Sequence, residues 1–169
     1  MSEASSPPKQ EVEILEFKPK YARYFEAINR AWLEEYFEVE PYDHIVMNDP
    51  QGQIIAHGGF VLFAKIGGEI VGTCALLKHT ELKYELAKMG VLKPYRGRGV
   101  GRMLTEAAIE KARKVGADTV ILATSNSLKA ANELYGSMGF HQVDSSEIGP
   151  LPYKRKSIVM RLRLKESTD

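Results

Sequence analysis

The run "VLKPYRGRGVGRMLTEAAIEKARKVGA", residues 91–117, constrains the fold of this chain more than any other. It carries a strand-like segment into a turn that sets Gly97, Gly99 and Gly101 among Arg96, Arg98 and Arg102, and then passes directly into an amphipathic helix. Val100, Met103, Leu104, Ala107, Ala108, Ala112 and Val115 fall on one helical stripe, which packs the helix on a core and fixes where its first turn points. Gly116 is placed to stop it. The leading N–H groups of that turn have no intrahelical partner, and the helix dipole adds partial positive charge, so this end suits an anion. The glycines remove Cβ atoms that would hold a phosphate off the backbone, and the arginines bring charge to the same place. Between Lys88 and Lys114 the only acids are Glu106 and Glu110. The expected ligand therefore carries more than one phosphate.

The flanking sequence sets this unit in a mixed α/β arrangement. Val12, Ile14 and Phe17 alternate with acids as in a half-buried strand that Pro19 closes, and the three-and-four spacing of Tyr24, Phe25, Ile28, Trp32 and Phe37 predicts one or two helices before Pro41. "PYDHIVMNDPQGQ" reads as a loop. "GFVLFAKIGGEIVGTCALLKH" reads as two strands joined by a tight Gly67-Gly68 turn, and "YELAKMGVL" as a third strand. "TVILAT" is an apolar run fit for a strand covered on both faces; a helix in "SLKAANELYGSM", a short strand at "FHQV" and a last strand at "SIVMRLRL" follow it. Helices covering a mixed sheet are the expected architecture. Residues 1–10, rich in Ser and Pro, read as a disordered tail, residues 11–165 as one domain, and 166–169 as a short tail.

Composition narrows the function classes. A net charge of +1 argues against a dedicated nucleic-acid binder, so the positive field is local. A single cysteine, Cys74, rules out an intramolecular disulfide and disfavours a cysteine-built metal site; His44, His57, His79 and His141 show no metal spacing. No apolar run is long enough to span a bilayer, and the first residues lack the apolar core of a secretory signal, so the expectation is a cytoplasmic protein without membrane partners.

Spacing separates the kinds of glycine-rich phosphate loop. A Walker loop requires a Gly-Lys-Ser/Thr ending that is absent, and a dinucleotide fingerprint requires a glycine where Arg102 stands. Arg96-Gly97-Arg98-Gly99-Val100-Gly101 does match Arg/Gln-x-x-Gly-x-Gly/Ala, and with "ELAKMGVLKPYRG" before it and "TVILATSNSLKAANELYGSMGF" after it the chain resembles the GNAT N-acetyltransferase superfamily from about Val12 to Leu164.

The resemblance implies a splayed mixed sheet of six to seven strands flanked by about four helices, in which the strand ending near Val91 parts from "TVILAT". It implies acetyl-CoA as co-substrate and no metal. The backbone of Met89 and Val91 would pair with the pantetheine arm, and amides from Arg96 through Gly97, Arg98, Gly99, Val100 and Gly101 to Arg102 would hold the pyrophosphate. By the same resemblance Tyr135 stands where a tyrosine commonly protonates the leaving thiolate, Asn132 where an asparagine contacts the pantetheine, and Asn126 on the same wall of the cleft. The Met89 N–H would serve the oxyanion.

Strand alternation sets Glu85, Ala87, Met89 and Val91 on one face. Some family members carry a glutamate base there and others let water serve, so both readings stand for Glu85. Trp32, Glu34, Glu35 and Tyr36 lie on the segment that forms the acceptor side in the family. The acidic, aromatic "RAWLEEYFEVEPYD" suits a cationic group and the basic "SSEIGPLPYKRK" a carboxylate. The implied activity is direct transfer, in a ternary complex, to the primary amine of an amino-acid-like or polyamine-like small molecule. A lysine or N-terminal peptide acceptor, and a non-catalytic acyl-CoA sensor, are the alternatives. Dimers are common in the family, which leaves a homodimer open.

Overall fold

The computed structural model describes residues 11–164; the tails expected at 1–10 and 166–169 lie outside the described residues. Seven strands form one sheet: β1 (Val12–Glu16), β2 (Phe60–Ile66), β3 (Glu69–Lys78), β4 (Lys83–Val91), β5 (Thr119–Thr124), β6 (His141–Val143) and β7 (Ile158–Arg163), in the order β1-β2-β3-β4-β5-β7-β6. Five helices accompany it, α1 (Ala22–Tyr36), α2 (Pro41–Asn48), the single turn α3 (Pro50–Gln53), α4 (Val100–Lys114) and α5 (Lys129–Ser137). The expected β2–β3 hairpin is present, with Gly67 and Gly68 at φ 56° and 87°, the paired left-handed geometry that matches strand twist.

Side-chain alternation sorts the core into two layers. Leu62, Ala64 and Ile66 of β2 pack with Val100, Leu104 and Ala108 of α4, while Val61 and Phe63 pack with Phe25 and Ile28 of α1. Two expectations need correction here. Met103 and Val115 are exposed rather than part of the α4 stripe, because the buried face runs through Val100, Leu104, Ala108 and Ala112 and widens toward Thr105 and Ile109. "PYDHIVMNDPQGQ" is not a loop but α2 and α3: Pro41 opens α2, and the Asp43 carboxylate accepts the Glu40 N–H at 2.9 Å.

Every neighbouring strand pair is antiparallel except β4 and β5. These two run parallel and pair only through Lys83, Tyr84 and Glu85 against Thr119, Val120 and Ile121. Past Glu85, β4 continues along β3 while β5 continues along β7 as far as Thr124. The sheet therefore parts, as expected, and the polar groups on the two facing edges lose their strand partners.

A second departure lies in β4 itself. Thr73 faces Gly90 and Ala75 faces Ala87, so Lys88 and Met89 together oppose Cys74, and Lys88 takes φ 55°. This bulge reverses the alternation. Tyr84, Leu86, Met89 and Val91 contribute to the core on the α4 side, whereas Glu85 pairs with Leu77 and Ala87 with Ala75, both of which pack on the α1 side. Glu85 and Ala87 thus do not share a face with Met89 and Val91.

Candidate active site

Where the sheet parts it opens a cavity of about 380 Å³, within the range of small-molecule sites. Leu86 and Met89 on β4 face Leu122 and Thr124 on β5 across it. Asn29, Trp32 and Leu33 of α1 and Phe37 just past it close one side, Ala131 and Tyr135 of α5 and Leu128 just before it another, and the segment from Ile148 to Ser157 closes it from outside. Because the cavity occupies a break in the sheet, residues from opposite faces of β4, Glu85 and Met89, both reach it.

Besides Tyr42 and Lys156, its ionisable groups fall into three sets. The Glu85 carboxylate lies 2.8 Å from His79 Nε2, and both side chains line the wall. The Tyr135 phenol, packed edge-on against Phe140, is pushed up to about 12 by burial, with Cys74 nearby adding to the shift. It stays protonated at neutral pH. The third set is a buried ion cluster. Lys88 Nζ donates to Asp43 Oδ1 at 3.2 Å and to the Tyr153 hydroxyl at 2.6 Å, and both guanidinium NH2 groups of Arg155 meet the Asp43 carboxylate at 2.8 Å. Burial alone would raise the Asp43 pKa, but the Arg155 hydrogen bond, the Glu40 amide and the charges of Lys88 and Arg155 hold it down at about 2. For Lys88 the balance runs the other way: burial lowers its pKa, and Asp43 only partly compensates.

The glycine turn lies outside the cavity wall. Gly97 and Gly99 adopt φ 77° and 81°, and the space a Cβ would take at either is open, so the backbone can be approached closely. Gly99 leads directly into α4 with no side chain capping the first turn. The arginines are dispersed, in contrast to expectation. Arg96 folds back, its Nε donating to the Val91 carbonyl at 2.9 Å and its NH1 pairing with Glu35 at 2.8 Å and donating to the Tyr36 hydroxyl at 3.3 Å. Arg98 lies over the Tyr95 ring and Arg102 donates to Ser137. What the turn leaves open is backbone, not a converged arginine cluster.

Of the residues singled out in the sequence, Glu85, Met89, Tyr135 and Trp32 meet at the cavity. Glu34, Glu35 and Tyr36 do not line it: one helical face carries Asn29, Trp32 and Leu33 inward and leaves these three exposed, Glu35 engaged by Arg96. Asn126 is likewise outside, in the exposed turn after β5. Asn132 holds that turn together, its Oδ1 accepting from Thr124 Oγ1 and its Nδ2 donating to the Ser125 carbonyl, both at 2.9 Å. Sequence reasoning missed Asn29 and Lys88 as site-forming residues, and named only the segments, "RAWLEEYFEVEPYD" and "SSEIGPLPYKRK", that carry Asp43, Tyr153 and Arg155. It noted His79 only for want of metal spacing, although the β3–β4 register sets His79 diagonally from Glu85 on one face.

A gap opened between two parallel strands beside a glycine-rich helix entrance is the arrangement that the resemblance to the acetyltransferase superfamily implied. The acetyltransferase (GNAT) family model matches residues 21–140, and this chain belongs to that family of acetyl-CoA-dependent N-acetyltransferases. It is 34% identical over 114 residues to the uncharacterized N-acetyltransferase YvbK of Bacillus subtilis, a match covering 66% of this chain and 74% of YvbK. It is 33% identical over 100 residues to N-acetylaspartate synthetase of Danio rerio, which covers 59% of this chain but only 36% of that protein. Among solved structures, a GNAT-family acetyltransferase from Staphylococcus aureus superposes with a TM-score of 0.81 at 20% identity, covering 92% of this chain and all of that one. YncA of Salmonella typhimurium, solved with acetyl-CoA, superposes at 0.73 with 18% identity, over 94% and 96% of the two chains. Among the described residues no helix is long and apolar enough to cross a membrane.

Proposed function

We propose that the chain moves the acetyl group of acetyl-CoA directly to the primary amine of a small, amino-acid-like molecule held in the cavity between β4 and β5. The observation that carries this reading is the convergence on one cavity of a carboxylate, Glu85, and a protonated phenol, Tyr135, from opposite sides of the sheet's break. Amine attack on a thioester needs an anchor for the donor, a proton acceptor for the ammonium, a donor for the oxyanion and an acid for the thiolate. The open backbone at Gly97 and Gly99 and the uncapped first turn of α4, residues 100–102, supply the anchor for the pyrophosphate. The freed edge of β4 at Met89 and Val91 receives the pantetheine amides, which requires Arg96 to yield the Val91 carbonyl it now occupies. The Met89 N–H meets the oxyanion, Glu85 takes the amine proton and Tyr135 protonates the sulfur. Asn132 supports this wall by fixing the β5–α5 turn rather than by touching the donor.

For the acceptor, Trp32, Leu33 and Phe37 supply apolar walls, Lys88 and Arg155 are already matched by Asp43 and Glu40, and the remaining charges of the lining are Lys156 and Glu85, one of each sign. Such a lining suits an amine that also carries a carboxylate better than it suits a polyamine, which would bring further cations. The likeness to N-acetylaspartate synthetase supports the same class. A peptide N-terminus is the second reading, favoured by 38% identity over 84 residues to N-alpha-acetyltransferase MAK3 of Arabidopsis thaliana, a match of 48% of this chain and 43% of that protein. A cytoplasmic setting fits the demand for acetyl-CoA and a lone, buried, unpaired Cys74. The test is a panel of amino acids, polyamines and short peptides incubated with acetyl-CoA and read by mass spectrometry alongside free thiol. Acetylation confined to polyamines or peptides would overturn the amino-acid reading.

A further inference from the structure

We propose that His79 is the exit for the proton that Glu85 removes from the acceptor, so that the working base is a Glu85–His79 pair; this rests on the acetyl-transfer reading above. The reaction has a fixed proton balance. An ammonium and a thioester become an amide and a thiol, with one proton left over: the amine loses two protons, one ends on the sulfur by way of Tyr135, and the other must reach water. Glu85 is badly placed to release it, since its side chain is only 12% exposed at the cavity wall. His79 is better placed. Its Nε2 lies 2.8 Å from Glu85 Oε1, within the range for direct proton transfer, and its side chain is 30% exposed.

The position of the pair is fixed by the sheet. His79 directly follows β3, and its N–H continues the ladder by donating to the Lys83 carbonyl at 2.9 Å, while Leu77 stands opposite Glu85. His79 and Glu85 are therefore diagonal neighbours on one face of a paired segment, before the bulge at Lys88 disturbs the alternation. Other groups near the pair do not offer the same path. Lys88 is 9% exposed on its side chain and bound to Asp43 and Tyr153, so a proton given to it stays inside. Lys83 Nζ is engaged by the Glu147 carbonyl, Lys78 by Glu81, and Arg155 by Asp43 and Glu40. Lys156 and Tyr42 also line the cavity, and the α1 wall adds no charge of its own. The step then reads as follows: an amine proton passes to a Glu85 oxygen, the carboxylic acid gives it to Nε2 of His79 in its Nδ1–H tautomer, the imidazolium releases its Nδ1 proton to water, and tautomer exchange through solvent frees Nε2 again. Glu85 returns as carboxylate. His79 touches neither substrate and acts through Glu85.

The experiment measures single-turnover acetyl transfer in wild-type protein and in His79→Gln, His79→Ala and Glu85→Gln, with thermal melting to confirm that each variant folds. The expected result is a fall of roughly tenfold or more in both His79 variants at unchanged KM for both substrates, with imidazole in the buffer restoring a saturable part of the rate. Glu85→Gln should fall at least as far and gain nothing from imidazole. His79→Gln can still donate a hydrogen bond to Glu85 but cannot carry a proton, so wild-type rates in that variant would reduce His79 to an orienting contact and overturn the relay. Undiminished transfer in His79→Ala, or no response to imidazole, would overturn it as well while leaving the transferase reading intact. An inactive wild type across the amine panel would instead bring down both.

Discussion

Tyr135 illustrates what a single side chain contributes. Burial raises its phenol to about 12, above the value of 10 for the free group, so the folded protein favours the protonated form. A raised value means that the proton-linked contribution is complete below pH 10 and is lost only as pH climbs through 12. Tyr135 therefore adds no limb to a pH–rate profile between about pH 6 and 9. Tyr135→Phe is expected to lower the single-turnover rate on the order of a hundredfold at every pH in that window, leaving the profile's shape and the KM values alone. Equal rates in the two proteins would remove Tyr135 from the acid role. Gly99 makes the second residue-scale case. With φ 81° and open space where a Cβ would stand, Gly99→Ala is expected to cost about 1–2 kcal/mol in backbone strain while retaining donor binding, whereas Gly99→Glu adds a carboxylate facing the pyrophosphate and should abolish it. Calorimetric titration with CoA separates the two; a normal isotherm for Gly99→Glu would exclude the turn as the anchor. Both positions were legible in sequence, one from glycine spacing and one from family resemblance. The orientation of Glu85 relative to Met89 was not, because period-two alternation holds only while pairing is regular, and a bulge at a lysine gives no local signal.

At the level of elements, strands and the two long packing helices announced themselves through periodicity, and α2 did not. Its segment is dense in Asp, Pro and Gly, residues that punctuate chains, and only the tertiary partners of Asp43 explain why the helix holds. Asp43 is fully buried, accepts from the Glu40 amide at the helix start, and is clasped by Arg155 from the segment before β7 and by Lys88 from β4. One carboxylate thus ties α2, the outer cavity wall and the bulge together. Its pKa in the folded protein, about 2, lies below the ordinary 3.8, so its stabilisation is complete above pH 4 and is lost as pH falls through 2. The linked contribution is about 2 kcal/mol. Asp43→Asn is expected to destabilise the protein at pH 7 by about 3–5 kcal/mol, since two buried cations lose their counter-charge, and to flatten the decline in stability between neutral pH and about pH 2.5 by about 2 kcal/mol. Urea unfolding at several pH values measures both. An unchanged acid decline in the variant would mean that other carboxylates set it.

Over the whole molecule, the sheet's parting brings a pocket bounded by α1, α2 and the Ile148–Ser157 segment into one space with the freed edge of β4. On the proposed reading both substrates meet in that gap, and no protein-bound acetyl group is needed. The most nucleophilic side-chain type is also out of play: Cys74 is the only cysteine, is completely buried behind α4 with its thiol near the Leu104 carbonyl, and is pushed up to about 12 by burial. The architecture therefore predicts sequential kinetics. Initial rates measured against acetyl-CoA at several fixed acceptor concentrations should give intersecting double-reciprocal lines, and intact-mass measurement of protein incubated with acetyl-CoA alone should show no stable acetyl adduct. Parallel lines with an adduct that chases into product on adding amine would require a covalent intermediate. Cys74→Ala distinguishes its source, because an adduct that survives this substitution must sit on another side chain, and one that vanishes would show that the core around Cys74 opens during turnover.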